Sequence, residues 1–407
     1  MKISNSNENG GRPNCGEDRS SGRKSALIFT QRKWSRLTSA ATIKLKFCNN
    51  LILFSLLVTV GLIALPAISQ AGTVPPQLLS ARNASVVPPA GGDGDSCGAV
   101  VSPDGRFVVF ASAANNLVPE NDRQFYMNVY LRDRASNTTT LVSMSLNGAS
   151  GGNGHSLYGQ VSTNGQFVLF ESQTGNLVAG NTNWIGDILL RDMVAGTTEV
   201  ASVGTNGAQA NGRSYDAVMT PDGRYVAFAS AASNLVPSDN NGIPDVFVRD
   251  MVAGTTTLLS VGATSPAATM ATPQITPDGS YVAFYSSATG MVAGVSGNGD
   301  VYVRDLAGGT TTWASADAAT VLQSVFGGTV ANVSSYCPRL SDDGDLVAFK
   351  SSATNFSGTN VTGVTAILVY DQIIGLTAIV TTNAVGSLPD DENRYGPELG
   401  ESLDGRR

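Results

Sequence analysis

From residue 77 onward, short apolar segments alternate along the chain with segments rich in Gly, Asn, Asp, Ser and Thr. In one stretch Ala217–Met219 leads into a tight turn, Tyr225–Ser230 follows, Asp245–Asp250 comes after a polar loop, and Thr255–Ser260 comes after a second turn. Four such segments in succession, bounded by turn-forming residues, predict one antiparallel β-meander. No helical periodicity is visible between residues 72 and 407, so the pattern predicts an all-β fold.

This strand pattern belongs to a unit that occurs five times and begins a sixth. Its signature is a Ser/Thr-Pro-Asp-Gly-Arg/Ser turn. Copies lie at residues 102–106, 220–224 and 276–280, and looser copies end at Gly165, Gly344 and Gly405. The gaps between successive turn glycines are 60, 58, 56, 65 and 61 residues. Proline presets φ and glycine takes the left-handed conformation, which closes a tight hairpin. Repetition of one four-stranded unit predicts a β-propeller.

The same segments resemble a known family. The Pro-Asp-Gly-Arg-Tyr/Phe-Val-x-Phe strand is similar to the WD40-like (PD40) repeat of TolB-type β-propellers. The fuller pattern, with Asn-Leu-Val-Pro, Asp-Val-Phe-Val-Arg-Asp and Gly-Thr-Thr-Thr, resembles exported bacterial propeller proteins with long repeats. The resemblance covers about residues 77–407 and implies four-stranded antiparallel blades. It implies no single activity, because such propellers include binding modules, scaffolds and enzymes.

Both ends of the repeat region bear on the number of blades. Residues 77–80 match the end of a repeat, and residues 403–407 lie just inside a sixth turn motif. We therefore expect a propeller over residues 72–407 with five full blades plus an incomplete sixth, to which the first strand contributes. This ending suggests a truncated reading frame, or a propeller that is the accessory part of a longer protein.

The amino-terminal segment has the pattern of an export signal. Lys44 and Lys46 precede an unbroken apolar run from Leu51 to Ile68, and small residues lead up to Ala71. A basic flank, an apolar run and small residues predict a signal peptide within residues 1–71, cleaved after Ala71. The run is also long enough to be an uncleaved membrane anchor. We expect a periplasmic, secreted or cell-surface protein, with membrane attachment only if the leader is retained.

Charge separates the leader from the rest of the chain. Residues 1–71 carry ten basic and three acidic side chains, which leaves 15 basic and 29 acidic side chains, a net charge of −14, in the remainder. Since a basic stripe is the usual footprint of nucleic-acid binding, this balance argues against a nucleic-acid partner. An acidic exported chain suits cations, neutral ligands or basic partners better.

Two cysteines, Cys97 and Cys337, lie outside the leader. Each lies seven or eight residues before a turn glycine. This spacing predicts equivalent places in blades one and five, which do not normally come within disulfide distance. We expect both to be small buried residues, with a disulfide bridge as the less favoured alternative.

One loop has the spacing of a calcium site. Asp239, Asn241 and Asp245 place side-chain oxygens at alternating positions, as calcium-binding loops do, and calcium is therefore the one cofactor the chain suggests. The pattern decays in the neighbouring repeats to Asn181, Asn183 and Asp187, and then to Asn298 and Asp300. The alternative is a polar loop that uses Asn, Asp and Gly for turns.

No set of residues predicts catalysis. The Arg-Asp pairs that end the third strands occur once per blade, as at Arg249-Asp250, which favours a structural role in the following turn. His155 is the single histidine, and no nucleophile with a matching base can be named beside it. Trp184 and Tyr126 lie in long loops, where they could stack on a ligand, although partial burial is the favoured interpretation.

The loops predict where function lies. In a meander the two tight turns of each repeat lie at one end and the two long connections, such as Ala113–Tyr126 and Ser145–His155, at the other, where binding usually occurs. We expect a non-enzymatic binding or scaffold propeller for protein or carbohydrate ligands. The alternative is a hydrolase or lyase acting on polysaccharide or peptide, for which the insertion between Asp317 and Tyr336 offers one carboxylate only.

Overall fold

The structure, a computed structural model, describes residues 91–119, 126–265, 268–295, 297–357 and 363–381. These residues form five four-stranded antiparallel sheets, each with its strands in chain order. The strands are β1 Ser96–Val101, β2 Phe107–Ser112, β3 Asn128–Asp133 and β4 Thr138–Leu141; β5 Ser156–Val161, β6 Phe167–Ser172, β7 Asp187–Asp192 and β8 Thr197–Val200; β9 Ser214–Met219, β10 Tyr225–Ser230, β11 Asp245–Asp250 and β12 Thr255–Leu258; β13 Met270–Ile275, β14 Tyr281–Ser286, β15 Asp300–Asp305 and β16 Thr311–Trp313; β17 Thr329–Leu340, β18 Leu346–Ser357, β19 Gly363–Asp371 and β20 Leu376–Ile379.

The turn between the first two strands of each blade forms as its sequence predicts. In blade one Ser102 Oγ donates to Asp104 Oδ1 at 2.5 Å, and the same carboxylate oxygen accepts the backbone N–H of Arg106 at 3.0 Å. Gly105, with φ at +72°, donates its N–H back to the Ser102 carbonyl at 2.8 Å. Because these bonds are local, the five-residue motif closes the hairpin with little help from the rest of the fold.

The blades stack through these same turns. A Cβ added to Gly223 would lie 2.6 Å from the ring of Phe167, the first residue of the second strand in the preceding blade. Gly165, Gly279 and Gly344 face the rings of Phe107, Tyr225 and Tyr281 in the same way. The first strands of blades one and two, of blades three and four, and of blades four and five also contact one another, and in blade three β9 contacts β6 and β7 of blade two. Sheets packed face to face, with their first strands side by side, form a β-propeller, as expected.

The core lies between the blades and repeats with them. The fourth residue of each second strand is a phenylalanine that is fully or almost fully buried, and these residues are Phe110, Phe170, Phe228, Phe284 and Phe349. Phe228 stacks on Phe247 of its own blade with ring centroids 5.9 Å apart. The middle strands of blades two, three and four are apolar on both faces because each of these sheets lies between two neighbouring sheets.

The repeated Arg-Asp pairs hold the outer turns. Asp250 Oδ1 accepts the backbone N–H groups of Val252 and Ala253, each at 2.9 Å. Arg249 Nη1 donates to Thr256 Oγ1 on the adjacent strand at 3.1 Å. The cross-strand Arg–Thr bond recurs in blades one, two and four, so these residues do the structural work that their even distribution predicts.

Blade five departs from the others, and the expectation that the repeat region lacks helices is wrong. The helix α1, Ala318–Phe326, lies in the insertion before β17. It buries Ala318 and Leu322 in a cluster with Val347 and Phe349 of blade five. Asp317, the N-cap residue before the helix, makes no side-chain capping bond, so packing on the blade, rather than capping, holds the helix.

The two cysteines do not occupy equivalent places. Cys337 is buried at a bulge in β17 with φ at +53°, a position that corresponds to Gly98 in blade one. Cys97 lies one residue earlier in the repeat and is exposed on β1. The expectation that both are buried is therefore wrong for Cys97, because the seven- and eight-residue spacings to the turn glycine differ by one strand position.

Several expectations concern segments beyond the described residues. The leader, its cleavage after Ala71, and both contributions to the incomplete sixth blade all lie there. Within the described ranges, no helix combines the length and the apolar character needed to cross a membrane.

Candidate functional site

Each blade carries an irregularity at the same place in its first strand. The pairing of the first two strands shifts register there, as between Leu157 and Gln160 in blade two. One residue at each shift has positive φ, and these residues are Gly98, Tyr158, Asp216, Thr272 and Cys337. Positive φ at a non-glycine residue costs free energy, and such strain is concentrated at functional sites. Unlike the turns and the core, this position carries a different side chain in every blade.

A small cleft opens between blades two and three beside this position. Its lining includes His155, Tyr158, Glu171, Gly186 and Arg213, and its volume is about 40 Å³. His155 and Arg213 each directly precede a first strand, and Gly186 directly precedes β7, so the cleft lies at the end of the blades where the long connections meet. This volume admits one small polar group, such as a hydroxyl or carboxylate of a larger ligand, but not a whole sugar ring.

Glu171 links the two blades at this cleft. Glu171 is 8% exposed, and its Oε1 accepts the backbone N–H of Asp216 at 2.8 Å. Nη2 of Arg213 lies 3.4 Å from Oε2. Burial raises the pKa of the Glu171 carboxyl, and the Asp216 amide and the Arg213 guanidinium offset part of that rise. The contact fixes the bulge of blade three against blade two and leaves the Arg213 side chain partly exposed at the cleft.

His155 lines the cleft as a hydrogen-bonded ring. Its Nδ1 accepts the backbone N–H of Met127 at 3.2 Å, and Tyr126 meets the imidazole edge-on with centroids 5.4 Å apart. A neutral imidazole that accepts at Nδ1 carries its proton on Nε2. His155 therefore offers a ligand a donor rather than a base.

Two aromatic side chains of blade two are exposed at this end of the molecule. Trp184 is 60% exposed and Tyr158 is 52% exposed, and both have φ at +55°. A Cβ on Gly175 would lie 3.2 Å from the Trp184 indole, so glycine there leaves room for the ring. The expected partial burial of Trp184 is wrong, whereas Tyr126 is half-buried against His155.

The predicted calcium loop holds two buried carboxylates. Asp239 is 5% exposed and Asp245 is fully buried. Asp245 Oδ1 accepts a hydrogen bond from Ser260 Oγ, whereas no hydrogen bond from a described residue reaches Asp245 Oδ2 or either oxygen of Asp239. Burial raises the pKa of both carboxyls, to about 6 for Asp245, where the negative charge of Asp239 adds to the rise.

The third predicted ligand, Asn241, holds the loop in place. Its Oδ1 accepts the backbone N–H of Ile243 at 3.1 Å, and its Nδ2 donates to the Ala263 carbonyl at 3.2 Å. Asn183 of blade two makes the same pair of bonds, to Ile185 and Ala210. Among the described residues no group of three or more His, Cys, Asp or Glu is placed to hold a metal. Any cation here would rely on the two carboxylates and on neutral oxygens.

Sequence reasoning missed Glu171, Arg213 and Tyr158. A signal was present, because residues at matching places in the repeat are alike where they serve every blade and unlike where they serve one site. The position of Glu171, for example, is occupied by Ala111, Ala229, Tyr285 and Lys350 in the other blades. A comparison of the residues at this one position in the five blades would have drawn attention to this end of the second strands.

No protein-family model matches the chain, and no curated protein matches it. Among solved structures it is similar to a protein described as TolB from Agrobacterium tumefaciens, with 14% identity, a TM-score of 0.39, and coverage of 72% of this chain and 82% of that one. It is similar to the β-propeller domain of the Trilobed protease from Pyrococcus furiosus, with 8% identity, a TM-score of 0.40, and coverage of 71% and 72%.

An acylaminoacyl peptidase is also similar, with 10% identity and a TM-score of 0.41; the match covers 72% of this chain but only 40% of the peptidase. These likenesses concern the fold alone. By its own strand order and repeated turns, the chain is a β-propeller of four-stranded antiparallel blades, and a TolB-like propeller is among the solved structures that it resembles.

Proposed function

We propose that this protein is an exported binding or scaffold propeller that engages a protein or carbohydrate ligand through the end of the blades where the long connections meet. The observation that carries the proposal is a pair of exposed aromatic side chains. Tyr158 lines a cleft that offers Arg213 and His155 as donors, and Trp184 lies two residues before Gly186 of the same cleft. Exposed aromatic side chains next to fixed polar groups are typical of binding sites.

The geometry supports binding of an extended ligand rather than capture of a small molecule. The cleft of about 40 Å³ takes one polar group, so most of the contact must come from the surrounding surface. Tyr158 and Trp184 provide flat apolar area there, and both are set by backbone positions with positive φ. A backbone already held in the blade loses less entropy when a ligand docks than a loop that must first become ordered. The net charge of −14 outside the leader argues against nucleic acid as the partner.

The test is a binding screen of the purified protein against an array of bacterial and plant oligosaccharides and a library of displayed peptides. For a ligand from either class, Trp184→Ala and Tyr158→Ala should each weaken binding about 30-fold, the effect of removing a 2 kcal/mol hot spot. Val194→Ala is the control, because Val194 is 80% exposed, more than either aromatic residue, but lies in the tight turn at the other end of blade two. Binding that survives both aromatic substitutions, or no binding in either class, would refute the proposal.

The alternative of a hydrolase or lyase has one observation in its favour, since His155 and Glu171 line the same cleft. Both side chains are already engaged, with His155 Nδ1 accepting from Met127 and Glu171 bridging two blades. Turnover of polysaccharide or peptide substrates that is abolished by His155→Gln, while ligand binding is retained, would favour the enzyme over the binding module.

A further inference from the structure

We propose that the loop before β11 binds one calcium ion between the carboxylates of Asp239 and Asp245. This site lies within blade three, and it does not depend on the proposed ligand or on the cleft between blades two and three.

Three carboxylate oxygens in this loop are buried without a hydrogen bond from the described part of the chain: both oxygens of Asp239 and Oδ2 of Asp245. Buried ionised carboxylates are normally paired with a cation or with several hydrogen-bond donors. The backbone N–H of Asn241 lowers the pKa of Asp239 and the side-chain amide of Asn241 lowers that of Asp245, but each offsets only part of the rise that burial causes. No ion pair with either residue occurs within the described ranges.

Blade two shows how the same loop is satisfied without a cation. Asn181 lies six residues before Asp187, and Asp239 lies six residues before Asp245. The two loops also have the same backbone bond, because Asn181 and Asp239 each donate their N–H to the carbonyl of the valine three positions earlier. In blade two Asn181 Nδ2 donates to Asp187 Oδ2 at 3.2 Å. In blade three a carboxylate replaces that amide, so the donor is lost and a second negative charge faces the first. A cation in this place would serve the role that the Asn181 amide serves in blade two.

The donor set favours calcium among common cations. The available ligands are all oxygens, which excludes metals that prefer nitrogen or sulfur. Calcium takes six to eight oxygens in flexible geometry, and two carboxylates can supply up to four of these, with backbone carbonyls or water completing the shell. Magnesium retains several of its waters and demands a near-ideal octahedron, which suits a buried loop poorly. A proton shared by the two carboxylates is the competing arrangement, and it weakens as the pH rises above the Asp245 pKa.

The test measures calcium binding by the purified chain, stripped of metal with EDTA, by titration calorimetry and by thermal unfolding at about pH 7.5. Calcium at about 5 mM exceeds the ~0.1–1 mM dissociation constants of weak extracellular calcium modules. We expect one calcium per chain and a higher melting temperature in calcium than in EDTA. Asp239→Asn, which recreates the blade-two arrangement, should abolish calcium binding and melt in EDTA at or above the temperature of the unaltered chain.

A second variant distinguishes loss of the calcium site from loss of the fold, because it adds a site instead of removing one. Asn181→Asp places a second carboxylate pair in blade two and should raise the stoichiometry from one calcium to two. An unaltered chain that neither binds calcium nor gains stability from it would overturn the proposal. So would calcium binding that persists in Asp239→Asn, or a response to magnesium that equals the response to calcium.

Discussion

Arg213 of blade three and Glu171 of blade two form an ion pair across the blade boundary, with Nη2 3.4 Å from Oε2, while the other oxygen of Glu171 accepts the backbone N–H of Asp216. The two oxygens therefore have separate partners. One partner is a half-exposed cation, and the other is an amide at a bulge with positive φ. The second contact should matter more for stability, because exposed ion pairs contribute little and unpaired amides are costly.

Glu171→Ala should lower the free energy of unfolding by about 1–3 kcal/mol, because it leaves the Asp216 amide without its acceptor. Glu171→Gln keeps an acceptor and should cost less than about 1 kcal/mol, because solvent reaches the Arg213 end of the ion pair and weakens it. Urea unfolding measures both. Equal losses in the two variants would show that the charge, rather than the amide contact, joins the blades here.

Gly223 should be intolerant of any side chain. Its φ is +72°, and an added Cβ would lie 2.6 Å from the ring of Phe167 in the preceding blade. Gly254 has a similar φ of +66°, but the nearest atom to an added Cβ is the Arg249 guanidinium at 3.8 Å. Gly254→Ala should cost about 1 kcal/mol of backbone strain, whereas Gly223→Ala should cost at least about 1–3 kcal/mol more from overpacking.

Thermal unfolding of the two glycine variants checks this difference. Because the backbone strain is nearly the same at both positions, the difference in melting temperature between the two variants reports the packing of one blade on the next. Similar melting temperatures for the two variants would mean that the blades can separate locally at little cost, contrary to the packing seen between Gly223 and Phe167.

The helix α1 should be an integral part of blade five rather than a surface addition. Leu322 of this helix is fully buried, whereas Val325 on the same helix is 39% exposed. Leu322→Ala should reduce the free energy of unfolding by about 2–5 kcal/mol through the cavity it creates. Val325→Ala should change it by less than about 1 kcal/mol. A small effect at Leu322 in urea unfolding would indicate that the helix detaches without disturbing the blade.

The parts of the fold that the sequence predicted are those that depend on local interactions. The predicted segments Tyr225–Ser230 and Asp245–Asp250 coincide with β10 and β11, because a hydrogen-bonded turn and a continuous apolar run define each strand. The helix Ala318–Phe326 escaped prediction because it is short and has neither an acidic first turn nor a basic last turn. Its stability comes from contacts with blade five, which no local pattern reports.

The candidate cleft could not be predicted from local patterns for a similar reason. Glu171 and Arg213 are 42 residues apart and meet only because blades two and three are neighbours in the propeller. The calcium loop was visible in the sequence, but its strongest support was not. Only the structure shows that Asp239 stands where Asn181 donates a hydrogen bond in blade two.

The calcium proposal predicts a specific dependence of stability on pH. Burial and the facing charge of Asp239 raise the Asp245 pKa from 3.8 to about 6. Between these two values the folded chain retains a proton that the unfolded chain releases, so in EDTA this group lowers stability as the pH rises through that window. Above about pH 6 the buried Asp245 carboxylate is ionised, and the resulting loss of stability remains unless a cation takes the place of the proton. Calcium should therefore stabilise the chain strongly at about pH 7.5 and hardly at all at about pH 4.5.

Asp245→Asn isolates this contribution from the other carboxyls. Asn128 occupies the equivalent place in blade one and accepts a hydrogen bond from Ser143 Oγ at 2.8 Å, so an amide fits this position. In EDTA, the melting temperature of the variant should rise relative to that of the unaltered chain as the pH increases from about 4 to 7, because the amide cannot ionise. A constant difference between the two chains across this range would place the Asp245 pKa near its ordinary value, and the two carboxylates would then need no cation to coexist.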